Sequence, residues 1–417
     1  MTDQKLVIVH AANPQPGVAG RCADVPVQAG DILQLIRSGE ATTRGDLLEA
    51  TGLSRMTVAQ RVDLLLASGL VVETSSATAG RGRPRQSLGF NHGHSVVAVA
   101  AVDTTHTITA VTDLDGRILA RDRIEPLVAD GPLPTLSAVG ESLRSLLTPD
   151  LPPLAGIGIG VPGPVDPATG RPSEPPIMPG WDAYPIAEHL REHVADVPVH
   201  TANDADAAAV GEYVAEFRGC RSLVMVKVST GIGTGIVLGG QRYVGVDGGA
   251  GDIGHVRVEH PGVTRCQCGS MGCLAAVASG RAVAGALHEL GREAAAGHDV
   301  GALLRAGDHD ALRLTREAGQ RIGEVLATVV CVLNPEVVVV GGDLASTSLI
   351  TGIRETLYGQ SLPRATRHLR LLLGSLGEDA AVIGLNRIVV DDEFGPEAVN
   401  HRLAPATVRP ERLPERS

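Results

Sequence analysis

The chain is poor in aromatic residues: three Phe, one Trp and four Tyr in 417 positions. Binding of nucleic acid by stacking bases on aromatic platforms is therefore excluded as its main mode of contact. Cysteine is also scarce. Cys22, Cys220 and Cys331 stand alone, and the remaining three fall between positions 266 and 273. That pattern gives no disulfide framework and predicts a reducing, cytoplasmic setting. No apolar run approaches the roughly 20 residues of a membrane span, and the patch at residues 6–9 is too brief for a secretory signal. An excess of positive charge is missing as well. The formal net charge is -11, which argues against a protein that is basic all over and leaves room only for a local basic module.

What is present is a large apolar fraction, 43% of residues, enough for a sizeable core and more than one domain. Residues 1–26 have no sustained period and predict a flexible tail. From Val27 the spacing of Ala29, Ile32, Leu33 and Ile36 predicts a helix closed by Gly39. Thr43 with Asp46 three residues later predicts a capped second helix, stopped by Gly52. Ser54 caps a third, with Val58, Val62 and Leu65 inward and Arg55, Met56, Gln60 and Asp63 outward. Three short helices in this arrangement, followed by two short strands, make a winged helix-turn-helix over residues 27–90.

The tip between those strands reads Gly80-Arg81-Gly82-Arg83-Pro84-Arg85, a cation on a flexible loop suited to phosphates or a narrow minor groove. Over residues 27–90 seven Arg stand against six Asp and Glu, so the negative charge lies in the rest of the chain. Double-stranded DNA is the partner this predicts, contacted through Arg55, Thr57, Gln60 and Arg61 on the third helix and Arg81, Arg83 and Arg85 on the wing. A charged outward face is also what any solvated helix presents, and it is the arginine-glycine tip that favours DNA.

Beyond residue 91 the alternation of strands and helices predicts an α/β domain. The strand at residues 96–102 opens an antiparallel meander. A strand over residues 156–161 leads into Pro162-Gly163-Pro164-Val165-Asp166, and another, 199–203, ends at Asn203-Asp204 before an alanine-rich helix. Polar residues at a strand's C-terminal end above a helix N-terminus are where such folds put chemistry. Thr230-Gly231-Ile232-Gly233 forms a glycine hairpin whose N–H groups could hold phosphate, although glycines also serve ligand-free turns. A helix over 311–333 with Gly319 and Gly323 predicts close packing, and a strand at 337–340 leads to Gly341-Gly342. From residue 391 the chain turns to Pro, Arg and Glu without period, which predicts a second tail to 417.

Residues 248–273 carry the sharpest local pattern: Gly-Gly-Ala-Gly-Asp-Ile-Gly-His, ten residues, then Cys-Gln-Cys-Gly-Ser-Met-Gly-Cys. His255, Cys266, Cys268 and Cys273 offer an imidazole and three thiols, the donor set of a closed tetrahedral zinc site. No position is left for a substrate water, so such a metal is structural.

These segments in this order resemble the ROK family, which joins repressors and sugar kinases; the likeness runs from residue 27 to 390. It rests on Gly160-Val161-Pro162-Gly163-Pro164-Val165-Asp166, Asn203-Asp204-Ala205-Asp206, Thr230-Gly231-Ile232-Gly233, residues 249–255 and the cysteine knuckle. The resemblance implies an actin-like, two-lobed ATPase fold, with lobes at about 91–202 and 203–390 and a sugar cleft between them. It implies that Gly163, Asn203, Asp204, Asp252 and His255 contact sugar, that the second nitrogen of His255 binds zinc, and that Asp204 is the base if the protein is a kinase.

Phosphate would fall to Thr105, Thr230, Gly231, Gly233, Gly341 and Gly342, but the family's first phosphate loop is damaged here. Aligned on Thr105 without gaps, Ala101 replaces its Asp and Asp103 its glycine; a two-residue deletion would instead make Asp103 the family Asp and lose the glycine. A carboxylate about 4 Å from phosphate predicts a repulsion of roughly 4 kcal/mol. Asp252 stands where the family has Glu, and Ala275 replaces a Glu that accepts sugar hydroxyls. ATP and Mg²⁺ are therefore not expected as cofactors. The expectation is a sugar-responsive repressor, dimeric or tetrameric on a palindromic operator, with a sugar kinase carrying a DNA module as the alternative.

Overall fold

The computed structural model describes residues 27–75, 86–259 and 264–404. Its N-terminal unit has helices α1 (Ala29–Ser38), α2 (Arg44–Thr51) and α3 (Arg55–Ala67), then strands β1 (Val71–Ser75) and β2 (Gln86–Phe90) paired antiparallel. The helix ends are set locally. Gly39 and Gly52 take the left-handed conformation at φ 77° and 66°. Thr43 and Asp46 close a capping box, in which the Asp46 N–H donates to Thr43 Oγ1 at 3.2 Å and the Thr43 N–H to Asp46 Oδ2 at 2.9 Å. Val58, Val62 and Leu65 are buried with Ile32, Leu33, Ile36 and Leu47, as their spacing predicts. The wing tip, residues 76–85, lies outside the described residues, so Arg81, Arg83 and Arg85 do too, as do the expected tail 1–26 and residues 405–417.

Two five-stranded sheets follow, built on one plan. The first contains β3 (Val96–Val102), β4 (Thr107–Asp113), β5 (Ile118–Ile124), β6 (Leu154–Val161) and β7 (Val199–Asn203) in the order β5-β4-β3-β6-β7. Helices α4 (Pro132–Leu146) and α5 (Ile186–His193) cover one of its faces. After α6 (Asp204–Glu216), the second sheet runs through β8 (Ser222–Val228), β9 (Ile232–Leu238) and β10 (Gln241–Arg242). It continues past α7 (Leu274–Ala278), α8 (Gly280–Glu289), α9 (Gly297–Ala306) and α10 (His309–Leu333) to β11 (Val337–Gly341), α11 (Thr347–Gln360), α12 (Pro363–Thr366) and β12 (Arg370–Leu373). Its order is β10-β9-β8-β11-β12. In each sheet a hairpin is antiparallel and the later strands add in parallel. Gly319 and Gly323 of α10 sit against the backbone of α11, the close packing their spacing predicts.

The alanines of α6 let that helix wedge between units: Ala205 and Ala209 lie against Gly235 of β9, and Ala207 against Gly384 of the last long helix. That last helix, α13 (Asp379–Glu393), corrects the expected lobe division. It packs its Leu385 and Val389 on Gly158 of β6, and Asn386 donates to Thr112 Oγ1 of β4 at 2.8 Å, so α13 lies on the first sheet and not within the second lobe.

The expected tail from 391 is corrected as well. Phe394 is 1% exposed, and α14 (Pro396–Leu403) docks on α1, with the Gly30 N–H donating to Asn400 Oδ1 at 2.6 Å. Only Val399 of α14 is buried, so the helix draws its stability from this docking and leaves no apolar period to read. Among the described residues no helix is long and apolar enough to cross a membrane.

Candidate functional site

A solvent-open cleft lies where the C-terminal ends of β3, β6, β7 and β8 meet. Its walls bring together most of the expected ligand residues: Gly163, Asn203, Asp204, Asp252, His255, Thr230, Gly231 and Gly233. Thr105, Gly341 and Gly342 do not line it. Thr105 turns its hydroxyl to His106 Nδ1 at 3.2 Å, and Thr104 takes the wall position instead. Gly342, at φ 91°, packs on the Val228 carbonyl and the Ser229 hydroxyl, and Gly341 on the Met225 side chain, so the pair lies behind the glycine hairpin.

Asn203 caps α6. Its Oδ1 accepts the N–H groups of Ala205 at 2.9 Å and Asp206 at 3.2 Å, and its Nδ2 donates to the Gly163 carbonyl at 3.0 Å. The amide thus ties the Pro162-Gly163-Pro164 loop to the helix that carries Asp204. Asp204 is largely enclosed at the head of that helix, its side chain 13% exposed. Burial and then the neighbouring Asp103 charge push its carboxyl upward, while Lys227 pulls the other way.

Lys227 is the residue that sequence reasoning missed. Its Nζ lies 2.7 Å from Asp103 Oδ2 and 2.5 Å from Asp204 Oδ2. Burial alone would raise the Asp103 carboxyl; the Lys227 ammonium overrides it and holds the group down to about 2. This corrects the expectation that Asp103 meets a phosphate as an uncompensated charge, because its charge is already paired. Ala101 pairs with Ile108 within the β3–β4 hairpin, and Asp103 is the carboxylate of this loop that lines the cleft. A lone lysine in an apolar strand gives a weak signal; its position two residues before Ser229-Thr230, at the strand end, was the one available clue.

The opposite wall is set by glycines. Gly248 and Gly251, at φ 82° and 104°, lie so close to the Val165 and Thr234 carbonyls that any side chain would collide with them. That approach seats the turn Ile253–His255 at the cleft, with Asp252 beside it and its carboxyl raised by burial. His255 Nδ1 is 3.7 Å from Cys266 Sγ, and Cys268 Sγ is 3.8 Å from Cys273 Sγ. Ligands at the usual zinc distances put sulfurs about 3.8 Å apart along a tetrahedron's edge, and sulfur and nitrogen about 3.6 Å. All four donor atoms lie within 4.8 Å of one another, so the cluster fits a tetrahedral metal. His255 also lines the cleft.

In the N-terminal unit Arg55 and Gln60 are exposed on α3, and Met56 is 81% exposed. Thr57 is half-buried, its hydroxyl 2.8 Å from Ser54 Oγ at the helix cap, and Arg61 is half-buried with one guanidinium nitrogen enclosed. Helix α3 therefore offers Arg55, Met56 and Gln60 outward and turns Thr57 and Arg61 partly inward.

Comparison with known proteins matches this division. The ROK family profile matches residues 99–392, and the MarR family profile residues 23–82. The chain is 28% identical to a xylose repressor of Bacillus subtilis over 368 residues, 86% of this chain and 94% of that one. It is 32% identical to a glucokinase of Halalkalibacterium halodurans over 264 residues, 59% of this chain and 79% of that one. Among solved structures, a ROK family transcriptional regulator homologous to the Escherichia coli MLC protein superposes with TM-score 0.76 at 25% identity, covering 91% of this chain and 98% of that one. A ROK family glucokinase from Streptomyces griseus, in complex with glucose and AMPPNP, superposes with TM-score 0.62 at 26% identity, covering 70% and 99%. With a winged helix before it and a family match across most of its length, this chain belongs to the ROK family.

Proposed function

We propose that the protein is a sugar-responsive transcriptional repressor, binding operator DNA through its winged helix and a sugar in the cleft. One observation carries the link between the two sites: the winged helix is docked on the C-terminal helices, and α13 lies on the sheet whose strand β7 ends at Asn203. His200, three residues before Asn203, pairs with Asp392 and Glu393 at the far end of α13, each at 3.0 Å. Asp391 beside them holds Arg37 of α1 at 3.0 Å. A sugar that favours one arrangement of β7 therefore biases how the DNA-binding unit sits. The relatives named xylose repressor, which align over both parts of this chain, support the same reading.

Zinc in the His255 cluster braces the sugar wall, and it serves structure, since all four positions are filled by protein. The protein acts as a dimer or tetramer of this chain, presenting two α3 helices to major-groove half-sites about 34 Å apart, so the operator is a palindrome. Asn203, Asp204, Asp252 and His255 hold the sugar, and Asp204 accepts a hydroxyl hydrogen bond without phosphoryl transfer.

The experiment is a binding-site selection with full-length protein, followed by release of the selected DNA across a panel of pentoses, hexoses and their derivatives. Failure to retain any palindrome removes the repressor reading. A second reading, sugar kinase with a DNA module, is favoured by the retained Asp204 and by the glucokinase relatives. Turnover of ATP with any sugar of the panel at ordinary kinase rates would establish it.

A further inference from the structure

We propose that Lys227 fixes the ligand class of the cleft: its ammonium fills the space between Asp103 and Asp204 where a nucleotide's terminal phosphate and Mg²⁺ would have to sit, so the cleft takes a sugar and rejects a magnesium nucleotide. This rests on reading the cleft as a sugar receptor, and it names the residue that separates receptor from kinase.

The ammonium reaches across the cleft. Lys227 lies on β8 of the second sheet, while Asp103 follows β3 and Asp204 follows β7 of the first. Both contacts, 2.7 and 2.5 Å, are made by side chains less than one-fifth exposed. Magnesium binds through oxygen ligands at about 2.1 Å in an octahedron and prefers carboxylates and phosphate. The two carboxylates that could serve it already accept hydrogen bonds from the ammonium. Admitting the metal would mean moving Lys227 out and leaving a buried cation without partners. Burial would push Lys227 down, but the two carboxylates outweigh it and raise the group, so the ammonium stays protonated at any pH near neutrality.

The loops beside it are closed in the same manner. Thr104 Oγ1 of the first loop and Thr230 Oγ1 of the second are 2.7 Å apart, so two side chains bond where phosphate oxygens would need bare backbone N–H groups. Thr104 also bonds Asp103 through its N–H at 2.6 Å, which turns that N–H away from any incoming anion. Asp204 is disarmed by the same arrangement. One oxygen accepts Lys227 and the other the Ala205 N–H at 2.8 Å. What remains is an acceptor for a sugar hydroxyl with no means of carrying the proton away.

Calorimetric titration of full-length wild type and Lys227→Thr with ATP and Mg²⁺ tests this. Wild type is expected to give no saturable binding in the millimolar range, and K227T to gain Mg²⁺-dependent nucleotide affinity of at least about tenfold. Should K227T not fold, K227M, which keeps the length of the side chain without its charge and leaves both carboxylates in place, carries the same comparison. Micromolar binding of Mg²⁺-ATP by wild type, or a folded variant that gains nothing, overturns the proposal. Operator binding by wild type is measured on the same samples. Its failure would remove the repressor reading without altering the nucleotide result.

Discussion

Arg37 of the DNA-binding unit and Asp391 of α13 form an ion pair at 3.0 Å with the arginine side chain only 7% exposed. The same guanidinium donates to the Phe394 carbonyl at 3.1 Å and lies over the Phe90 ring at 5.4 Å from its centroid. One side chain thus joins the wing strand, the first helix and the C-terminal helices. Replacing Asp391 by Ala leaves that enclosed cation with the Phe394 carbonyl and a long contact to Gln34 Oε1 at 3.4 Å, neither of them charged, a loss of about 1–3 kcal/mol in stability. The larger consequence is in signalling: D391A is expected to bind operator but to release it poorly on adding sugar. Mobility-shift titrations with and without the effector check this, and a variant released as readily as wild type would disprove the route through α13.

His200 makes the neighbouring joint sensitive to pH. Burial would lower its imidazole, but hydrogen bonds and charge from Asp392 and Glu393 raise it to about 9. A raised pKa in the folded state means that the protonated form is favoured there, so the contribution is complete below the ordinary value of 6.5 and is lost as pH rises through about 9. Asp392 is well exposed and Arg402 stands 3.7 Å from Glu393, so the contribution is scaled down to about 1–2 kcal/mol. Urea unfolding between pH 6 and 9.5 is expected to show wild type losing this amount relative to His200→Gln; parallel curves would rule the joint out.

The cysteine knuckle, the helix caps and the Asn203-Asp204 strand end were legible because each is a local pattern whose chemistry depends on spacing. Thr43 with Asp46 and Ser54 before α3 act within three or four residues. Lys227 was not legible, since its partners lie 124 and 23 residues away and nothing beside it in the strand announces them. Nor was α14: its docking partner Gly30 is 370 residues distant, and a helix with Val399 as its one buried residue carries no period. Arg61 failed in a related way. It was expected among the DNA contacts of α3, but one of its guanidinium nitrogens is enclosed.

For the metal, Cys273 is 2% exposed and Cys266 4%, so neither has an alternative solvent-facing role. Metal analysis of wild type is expected to give about one zinc per chain, and Cys273→Ser close to none. Because His255 stands in both the metal cluster and the cleft wall, the same variant is expected to lose sugar response while α3 still binds DNA. Retention of full sugar response by a metal-free variant would detach the knuckle from the sugar site.

On the DNA side, base reading and phosphate attraction separate by salt. Arg55 and Gln60 stand exposed on α3, where a side chain can reach base edges, so Arg55→Ala is expected to cost about 1–3 kcal/mol on the selected operator and little on random DNA. Arg81, Arg83 and Arg85 have no acidic neighbour in the sequence, and a cation that touches phosphate releases counterions wherever it binds. Replacing all three by Ala is therefore expected to weaken operator and random DNA alike and to reduce the slope of log affinity against log salt by roughly 2.7, about 0.9 for each contact. A triple variant with an unchanged slope would mean that the wing does not touch phosphate, and α3 would then have to supply the whole electrostatic attraction from a helix whose charges nearly cancel.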